Sequence, residues 1–115
     1  EGNASSSEAR IEAMIKLHKA GYKTFASLEP VVNFLTVSSI IVVTIGWCDL
    51  YKIGLMSGKK YDDLDRDRAE SLLKDIKGYY RERFYLKDSM VKYLNLNRSE
   101  LPPHFVDRDY NLFQK

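Results

Sequence analysis

The sequence predicts an α/β protein with a short parallel sheet, and two observations carry this prediction. Segments with apolar residues at helical spacing alternate with short strand-like segments, in the order helix, strand, helix, strand, helix, strand, helix. Such alternation is typical of parallel strands joined by crossover helices. The chain has 115 residues, room for one compact domain, and 44% of them are hydrophobic, which is enough to build a core.

The first helix is predicted to begin at Ser5, which would form a capping box with Glu8. Its apolar residues recur at helical spacing: Ile11, Met14, Ile15 and Leu17. We expect His18, at the edge of this apolar face, to be a hydrogen-bonded boundary residue. Gly21 is expected to end the helix in the left-handed conformation.

The first strand is predicted over 23–29, with Pro30 ending it because proline cannot donate a hydrogen bond. Alternation places Phe25, Ser27 and Glu29 on one face of that strand. The next segment, 34–46, is rich in Val, Ile and Thr, so propensity alone favours a strand. Because it lies between two strands, where a crossover helix fits, we predict a helix with Thr36 as its cap and Gly46 at its end.

The second half of the chain repeats the pattern. A strand is predicted over 49–55, then a loop, then a helix from Asp62 or Asp63 to Gly78, whose apolar residues have a period of 3.6: Leu64, Ala69, Leu72, Leu73 and Ile76. We interpret Asp62, Asp63 and Asp65 as helix-start residues that complement the helix dipole, and not as metal ligands.

A third strand is predicted over 83–88, followed by a short helix that Asp88 or Ser89 caps and that extends to Leu94. The tail, residues 95–115, has little periodicity but several apolar residues. We expect it to run extended over the surface and to dock through them: Phe105, Val106, Tyr110, Leu112 and Phe113.

Composition narrows the class of protein. The net charge of +2 gives no indication of nucleic acid binding, and we interpret the aromatic residues as core and interface residues. The single cysteine, Cys48, allows neither an internal disulfide nor a cysteine-based metal site, and is typical of a reducing compartment. The longest apolar run, 40–45, is far below the about 20 residues that span a bilayer. With no signal-peptide pattern, we expect a cytoplasmic protein without membrane partners.

Charged residues stand where the strands end, which is where parallel sheets bind ligands. Glu29 lies at the carboxyl end of the first strand, and Lys52 and Lys87 belong to the same rim or to the inner face just below it. Gly54 would let a ligand or a neighbouring backbone come close. The alternative is structural: Glu29 would pair with Lys52 or Lys87 as a buried ion pair inside the sheet.

Three parallel strands make a narrow sheet with two exposed edges, too few to close into a barrel. The sequence is therefore better explained as a piece of a larger barrel. On the inner face of such a piece we expect Tyr51 or Lys52, depending on register, and Tyr85 or Lys87.

Five segments together resemble radical SAM proteins. They are EGNA at 1–4, EARI at 8–11, LHKAGYKTFASLEPV at 17–31, DLYKIG at 49–54 and FYLKDS at 84–89, so the resemblance extends from residue 1 to about 94. The most similar group is the uncharacterised phage- and bacterial-type radical SAM proteins, distantly similar to spore photoproduct lyase.

The resemblance implies that residues 1–94 are the C-terminal half of a partial TIM-like (β/α) barrel, with 95–115 as a tail that docks on it. The parent protein, meaning the longer chain, would hold a [4Fe-4S] cluster on a C-x-x-x-C-x-x-C loop. It would cleave S-adenosylmethionine (SAM) reductively to a 5′-deoxyadenosyl radical. This chain lacks that loop, so the resemblance implies that it is inactive alone and holds no cofactor, and that Cys48 is not a cluster ligand.

By the same resemblance, Ser27 and Glu29 would hydrogen-bond polar groups of SAM. Lys52 and Lys87 would line the barrel interior and hold either the SAM carboxylate or an anionic substrate, and Asp88 would lie where its strand gives way to a helix. The implied partner is the missing N-terminal barrel half, and we expect the chain alone to self-associate. Two alternatives are a stand-alone binding module for an anionic small molecule and an interaction domain that pairs through its sheet edges.

Overall fold

The computed structural model describes residues 2–113, with side chains described from residue 8 onward. Within this range four α-helices alternate with three strands, and a short 3-10 helix follows at Arg98–Glu100. The elements are α1 (Gly2–Lys19), β1 (Phe25–Val31), α2 (Phe34–Thr44), β2 (Leu50–Leu55), α3 (Asp63–Lys77), β3 (Arg83–Leu86) and α4 (Asp88–Tyr93).

The three strands form one parallel sheet in the order β1-β2-β3, which confirms the predicted α/β class. Side chains in register across the sheet share a face, since successive residues of a strand point to opposite sides. Ala26, Tyr51 and Phe84 therefore form a row on one face. The next row in register, on the opposite face, consists of Ser27, Lys52 and Tyr85.

One face of the sheet is buried against helices. Tyr51, Ile53 and Phe84 are 0% exposed and belong to one core cluster with apolar residues of α2 and α3: Phe34, Val37, Ile41, Ala69, Leu72 and Ile76. The opposite face, which we call the open face, begins with a row of Phe25, Leu50 and Arg83. Beyond that row it carries mostly polar residues: Ser27, Glu29, Lys52, Gly54, Tyr85 and Lys87. Of the residues expected on the inner face, the strand register places Lys52 on the open face and Tyr51 in the core. Tyr85 and Lys87 both lie on the open face.

The segment that begins at Phe34 is a helix, as its position between two strands predicted. Its buried residues, Phe34, Val37, Ile41 and Thr44, form one stripe at helical spacing, and this burial prevails over the strand propensity of Val and Ile. The predicted cap at Thr36 is wrong. The Asn33 side chain caps the helix by accepting a hydrogen bond from the Leu35 amide at 2.8 Å.

The prediction that Pro30 ends the first strand is also wrong, because β1 continues to Val31. The pairing register with β2 shifts between Leu28 and Val31, so the hydrogen-bonded ladder is irregular where proline lacks its donor. Pro30 is exposed, whereas Val31 is only 1% exposed and anchors the end of the strand in the core.

Helix α1 begins at Gly2, so Ser5 lies within the helix and not at its N-cap. The side chain of Ser5 lies outside the described residues, and with it the predicted capping box. At the other end, Gly21 has a φ of 91° as expected. His18 contacts the edge of the Trp47 ring, with ring centroids 5.5 Å apart.

The acidic residues at the start of α3 are cap residues, as predicted. The Asp62 side chain accepts from the Asp65 amide at 2.8 Å, and the Asp65 side chain accepts from the Asp62 amide at 3.0 Å. The cap predicted for α4 is wrong, because its N-cap is Lys87 without a side-chain hydrogen bond. Asp88 is the first helical residue, and the Ser89 hydroxyl instead accepts a hydrogen bond from the Leu55 amide at 3.1 Å.

The tail lies along the outer edge of β3. The Phe84 amide donates to the His104 carbonyl at 3.0 Å, and the Val106 amide donates to the Phe84 carbonyl at 2.8 Å. Phe105 and Val106 are half-buried and Leu112 is buried, whereas Tyr110 and Phe113 are 39% and 68% exposed. None of the helices within residues 2–113 combines the length and apolarity needed to cross a membrane.

Candidate binding face on the open side of the sheet

An ion pair crosses the open face from one edge strand to the other. The Lys87 ammonium at the end of β3 lies 2.6 Å from the Glu29 carboxylate on β1, and Gly54 of the central strand lies beneath them. A Cβ atom at position 54 would lie 2.7 Å from Cδ of Lys87 and 3.4 Å from Oε1 of Glu29. The pair therefore depends on a glycine at this position, which provides the space that its side chains occupy.

The ion pair is only partly exposed, since the Glu29 side chain is 26% exposed and the Lys87 side chain 46%. The hydrogen bond from Lys87 holds the pKa of Glu29 below its usual value, although partial burial opposes this. The Ser27 hydroxyl donates to the second carboxylate oxygen at 3.0 Å and lowers the pKa further. The same contact raises the pKa of Lys87. Of the two structural alternatives, the pair is with Lys87, and it lies on the surface of the sheet.

Lys52 lies on the same face but forms no ion pair with a described residue. Its ammonium lies 5.2 Å from the centroid of the Phe25 ring, a cation–π contact. Its charge contributes to the lowered pKa of Glu29, so the two groups share one electrostatic environment. The open face thus combines one paired lysine with one that has no carboxylate partner in the described part of the chain.

All four residues predicted from the sequence, Ser27, Glu29, Lys52 and Lys87, lie together on the open face. Sequence reasoning missed Arg98, in the 3-10 helix of the tail. Its guanidinium donates to the Leu86 carbonyl at 2.7 Å and to Asp88 at 2.8 Å, and lies 5.6 Å from the Tyr85 ring centroid. No spacing rule identifies such a residue, because its contacts depend on the path of the tail.

Cys48 lies away from the carboxyl ends of the strands, two residues before β2 begins. Its side chain is 3% exposed, its thiol donates to the Leu50 carbonyl at 3.2 Å, and burial raises its pKa to about 11. A buried thiol with a raised pKa is a poor nucleophile and a poor metal ligand. Within residues 2–113 no group of three or more His, Cys, Asp or Glu side chains is arranged to hold a metal ion.

Comparisons of the chain with protein-family models, with curated proteins and with solved structures found no match.

Replacing Gly54 with alanine is expected to separate the Glu29–Lys87 pair without unfolding the protein. Loss of such an exposed ion pair costs little stability, and the preference of strands for alanine over glycine offsets that cost. The stability should therefore change little, while the pKa of Glu29 rises toward its usual value. Carbon-13 NMR titration of the Glu29 carboxyl measures this pKa.

The pH dependence has a definite sign. Because the folded-state pKa of Glu29 is lowered, the pair stabilises the fold above the unfolded-state pKa of Glu29. This contribution disappears as the pH falls through the folded-state pKa.

For Gly54→Ala, the matched control is Lys87→Met, since it removes the ammonium and leaves Gly54 in place. A Glu29 pKa that is unchanged in Gly54→Ala but raised in Lys87→Met would contradict the role assigned to Gly54.

Proposed function

We propose that this chain is the C-terminal half of a radical SAM barrel and that its open face lines the cavity in which the parent protein binds SAM. The observation that carries the proposal is the Glu29–Lys87 ion pair beside Gly54, at the carboxyl ends of three parallel strands. Ligands of parallel α/β sheets bind at these ends. The sequence segments that resemble radical SAM proteins include all three residues.

The two edges of the sheet support the proposal that the missing half of the barrel is the N-terminal half. The tail hydrogen-bonds to the outer edge of β3, whereas the other edge of β1 has no strand partner among residues 2–113. Further strands would therefore join at β1. Because β1 is the first strand of the chain, the proposed missing half precedes it in sequence.

The residues present fit the two implied cofactors differently. A [4Fe-4S] cluster is held by cysteine thiolates, and the one cysteine is buried before β2, away from Glu29. This chain therefore does not fit the cluster, which the proposal leaves to the parent. The donor set does fit SAM, since the open face offers a carboxylate at Glu29 for an ammonium group and lysine ammonium groups for a carboxylate. When bound in the parent, SAM supplies the 5′-deoxyadenosyl radical.

The role of this chain is to bind and orient. Glu29 accepts hydrogen bonds from Lys87 and Ser27, which fix the direction of its carboxylate and keep it ionised at neutral pH. An ionised carboxylate in a fixed orientation positions a cationic ligand better than a mobile one, because less side-chain entropy is lost on binding.

A second candidate is a stand-alone module that binds an anionic small molecule. It is favoured by the path of the tail, which passes from β3 to the side of β1, where Phe113 lines the same groove as Phe25. Leu50 and Leu112 are buried but lie outside the main core cluster. The tail therefore covers part of the open face without a second protein.

The test is Glu29→Gln in the parent protein. We expect the dissociation constant for SAM to rise about tenfold or more, because a hydrogen bond to a charged group contributes about 1.5–3 kcal/mol. Glu100→Gln is the matched control, since Glu100 is exposed in the tail. Circular dichroism checks that both variants keep the fold. Equal SAM affinity in the wild type and in Glu29→Gln would refute the proposed role of the open face.

A further inference from the structure

We propose that the tail closes the open face at the amino ends of the strands, with Leu112 as the closing residue, so that a ligand reaches this face only from the carboxyl ends. The inference deepens the proposed function and rests on it for the statement that the open face lines the SAM cavity of the parent. The closure itself is a contact within the 115-residue chain and can be measured on it.

The tail is fixed at the outer edge of β3 before it crosses the sheet. Two backbone hydrogen bonds join it to Phe84, one from the Phe84 amide to the His104 carbonyl and one from the Val106 amide to the Phe84 carbonyl. The His104 ring is buried and donates from Nε2 to the Ile76 carbonyl at 2.8 Å. The chain up to Val106 is therefore held beside β3, and the crossing begins there.

Residues 107–113 carry the tail to the other edge of the sheet. Phe113 lines the groove at β1 together with Phe25 and Ser27. Neighbouring strands lie about 4.8 Å apart, and a segment of this length spans at most about 25 Å, so the tail is long enough to pass over all three strands. The core face is filled by side chains of α2 and α3. The tail therefore crosses on the side of the open face.

Two buried leucines show where it crosses. Leu50 belongs to the first row of the open face and is 4% exposed, although it lies outside the main core cluster. Leu112 is 8% exposed and also lies outside that cluster. A leucine on the open face is buried only if another segment covers it, and residues 107–113 are the segment that crosses this side. Leu112 therefore packs over Leu50, at the amino end of the central strand.

The accessibility of the open face increases toward the carboxyl ends. In the row after Leu50, Lys52 is half-buried, and its side chain leans back toward the amino ends, because its ammonium lies 5.2 Å from the centroid of the Phe25 ring. At the other end, the side chains of Glu29 and Lys87 are 26% and 46% exposed. The face is thus covered at one end and accessible at the other.

This closure matters for a ligand bound at the carboxyl ends. In the proposed barrel the open face is the interior, and an uncovered amino end would admit water behind the ligand. Excluding that water lowers the local dielectric, which strengthens the attraction between a cationic group and the Glu29 carboxylate. Leu112 acts here through packing on Leu50 and not through contact with the ligand.

The experiment compares the wild-type chain with Leu112→Asn by NMR. We expect nuclear Overhauser effects between the methyl groups of Leu50 and Leu112 in the wild type, a result that needs no variant. A soluble gadolinium reagent should relax the Leu50 methyl groups at least threefold faster in Leu112→Asn. Tyr110→Asn is the matched control in the same segment, since Tyr110 is 39% exposed, and it should leave this rate unchanged.

Protection of the Val106 amide from hydrogen exchange checks that both variants keep the fold and the attachment to β3. Absence of the Leu50–Leu112 contact in the wild type, or equal relaxation of Leu50 in the wild type and in Leu112→Asn, would overturn the proposal.

The closure and the proposed function can fail independently. A Leu50–Leu112 contact combined with unchanged SAM affinity in Glu29→Gln of the parent would keep the closure and refute the proposed function. A missing contact combined with reduced SAM affinity in Glu29→Gln would refute the closure and keep the proposed function.

Discussion

Alanine at position 84 is expected to lower the free energy of unfolding by about 3–5 kcal/mol, the range for removing a buried phenylalanine ring. Phe84 is 0% exposed and stacks on Tyr51, with ring centroids 5.1 Å apart. It also contacts the ring of Phe105 at 5.9 Å and that of His104 at 6.0 Å. The substitution therefore opens a cavity between the central strand and the tail.

The tail should respond to the same substitution. Phe84 holds it through two backbone hydrogen bonds and through the two ring contacts, and only the ring contacts are removed. We expect the Val106 amide to exchange its hydrogen faster than amides in α3. Urea denaturation measures the loss of stability, with Tyr80→Ala as control, since Tyr80 is 68% exposed and its replacement should cost less than about 0.5 kcal/mol. A loss below about 1 kcal/mol for Phe84→Ala would contradict this packing.

The isolated chain is expected to self-associate at micromolar concentration through the free edge of β1. A groove of about 630 Å³ follows this edge, between α1 and α2, and its lining is mostly apolar: Ile11, Met14, Leu17, Phe25, Leu28 and Ile40. Leu17 is 48% exposed and Phe25 49%. An unpaired strand edge beside exposed apolar side chains favours pairing with a second chain.

Sedimentation velocity tests this expectation. The double variant Leu17→Lys, Phe25→Lys should be monomeric, because charge at a strand edge opposes pairing. Leu64→Lys, Tyr80→Lys is the matched control, since it also places two lysines at exposed apolar positions, 54% and 68% exposed, away from the groove. A wild-type monomer at tens of micromolar with one cooperative thermal transition would contradict the expectation and favour the stand-alone module.

The regular elements were predictable because their patterns are local. The period of Leu72, Leu73 and Ile76 predicts α3, and these residues are buried in the core. Helix α2 required a non-local argument, since its composition favours a strand and only its place between two parallel strands indicates a helix. The end of β1 was mispredicted because Pro30 is tolerated where the pairing register shifts, which the sequence does not reveal.

The members of the site were predictable, but their contacts were not. Carboxyl ends of strands identify Glu29 and Lys87, whereas Lys52 lies within β2 on the same face. The choice of Lys87 as the partner of Glu29 depends on the strand register and on the space above Gly54. The position of Arg98 depends on a tail without periodicity, and its contacts arise only when the tail has docked on β3.

The amino-acid sequence encoded upstream of Glu1 tests the central claim most directly, namely the proposal that this sheet is half of a barrel completed at β1. We predict three cysteines at C-x-x-x-C-x-x-C spacing, followed by further alternating strands and helices before residue 1. A reading frame that opens shortly before Glu1, with no such cysteines, would contradict the claim and leave the open face to a stand-alone anion-binding module.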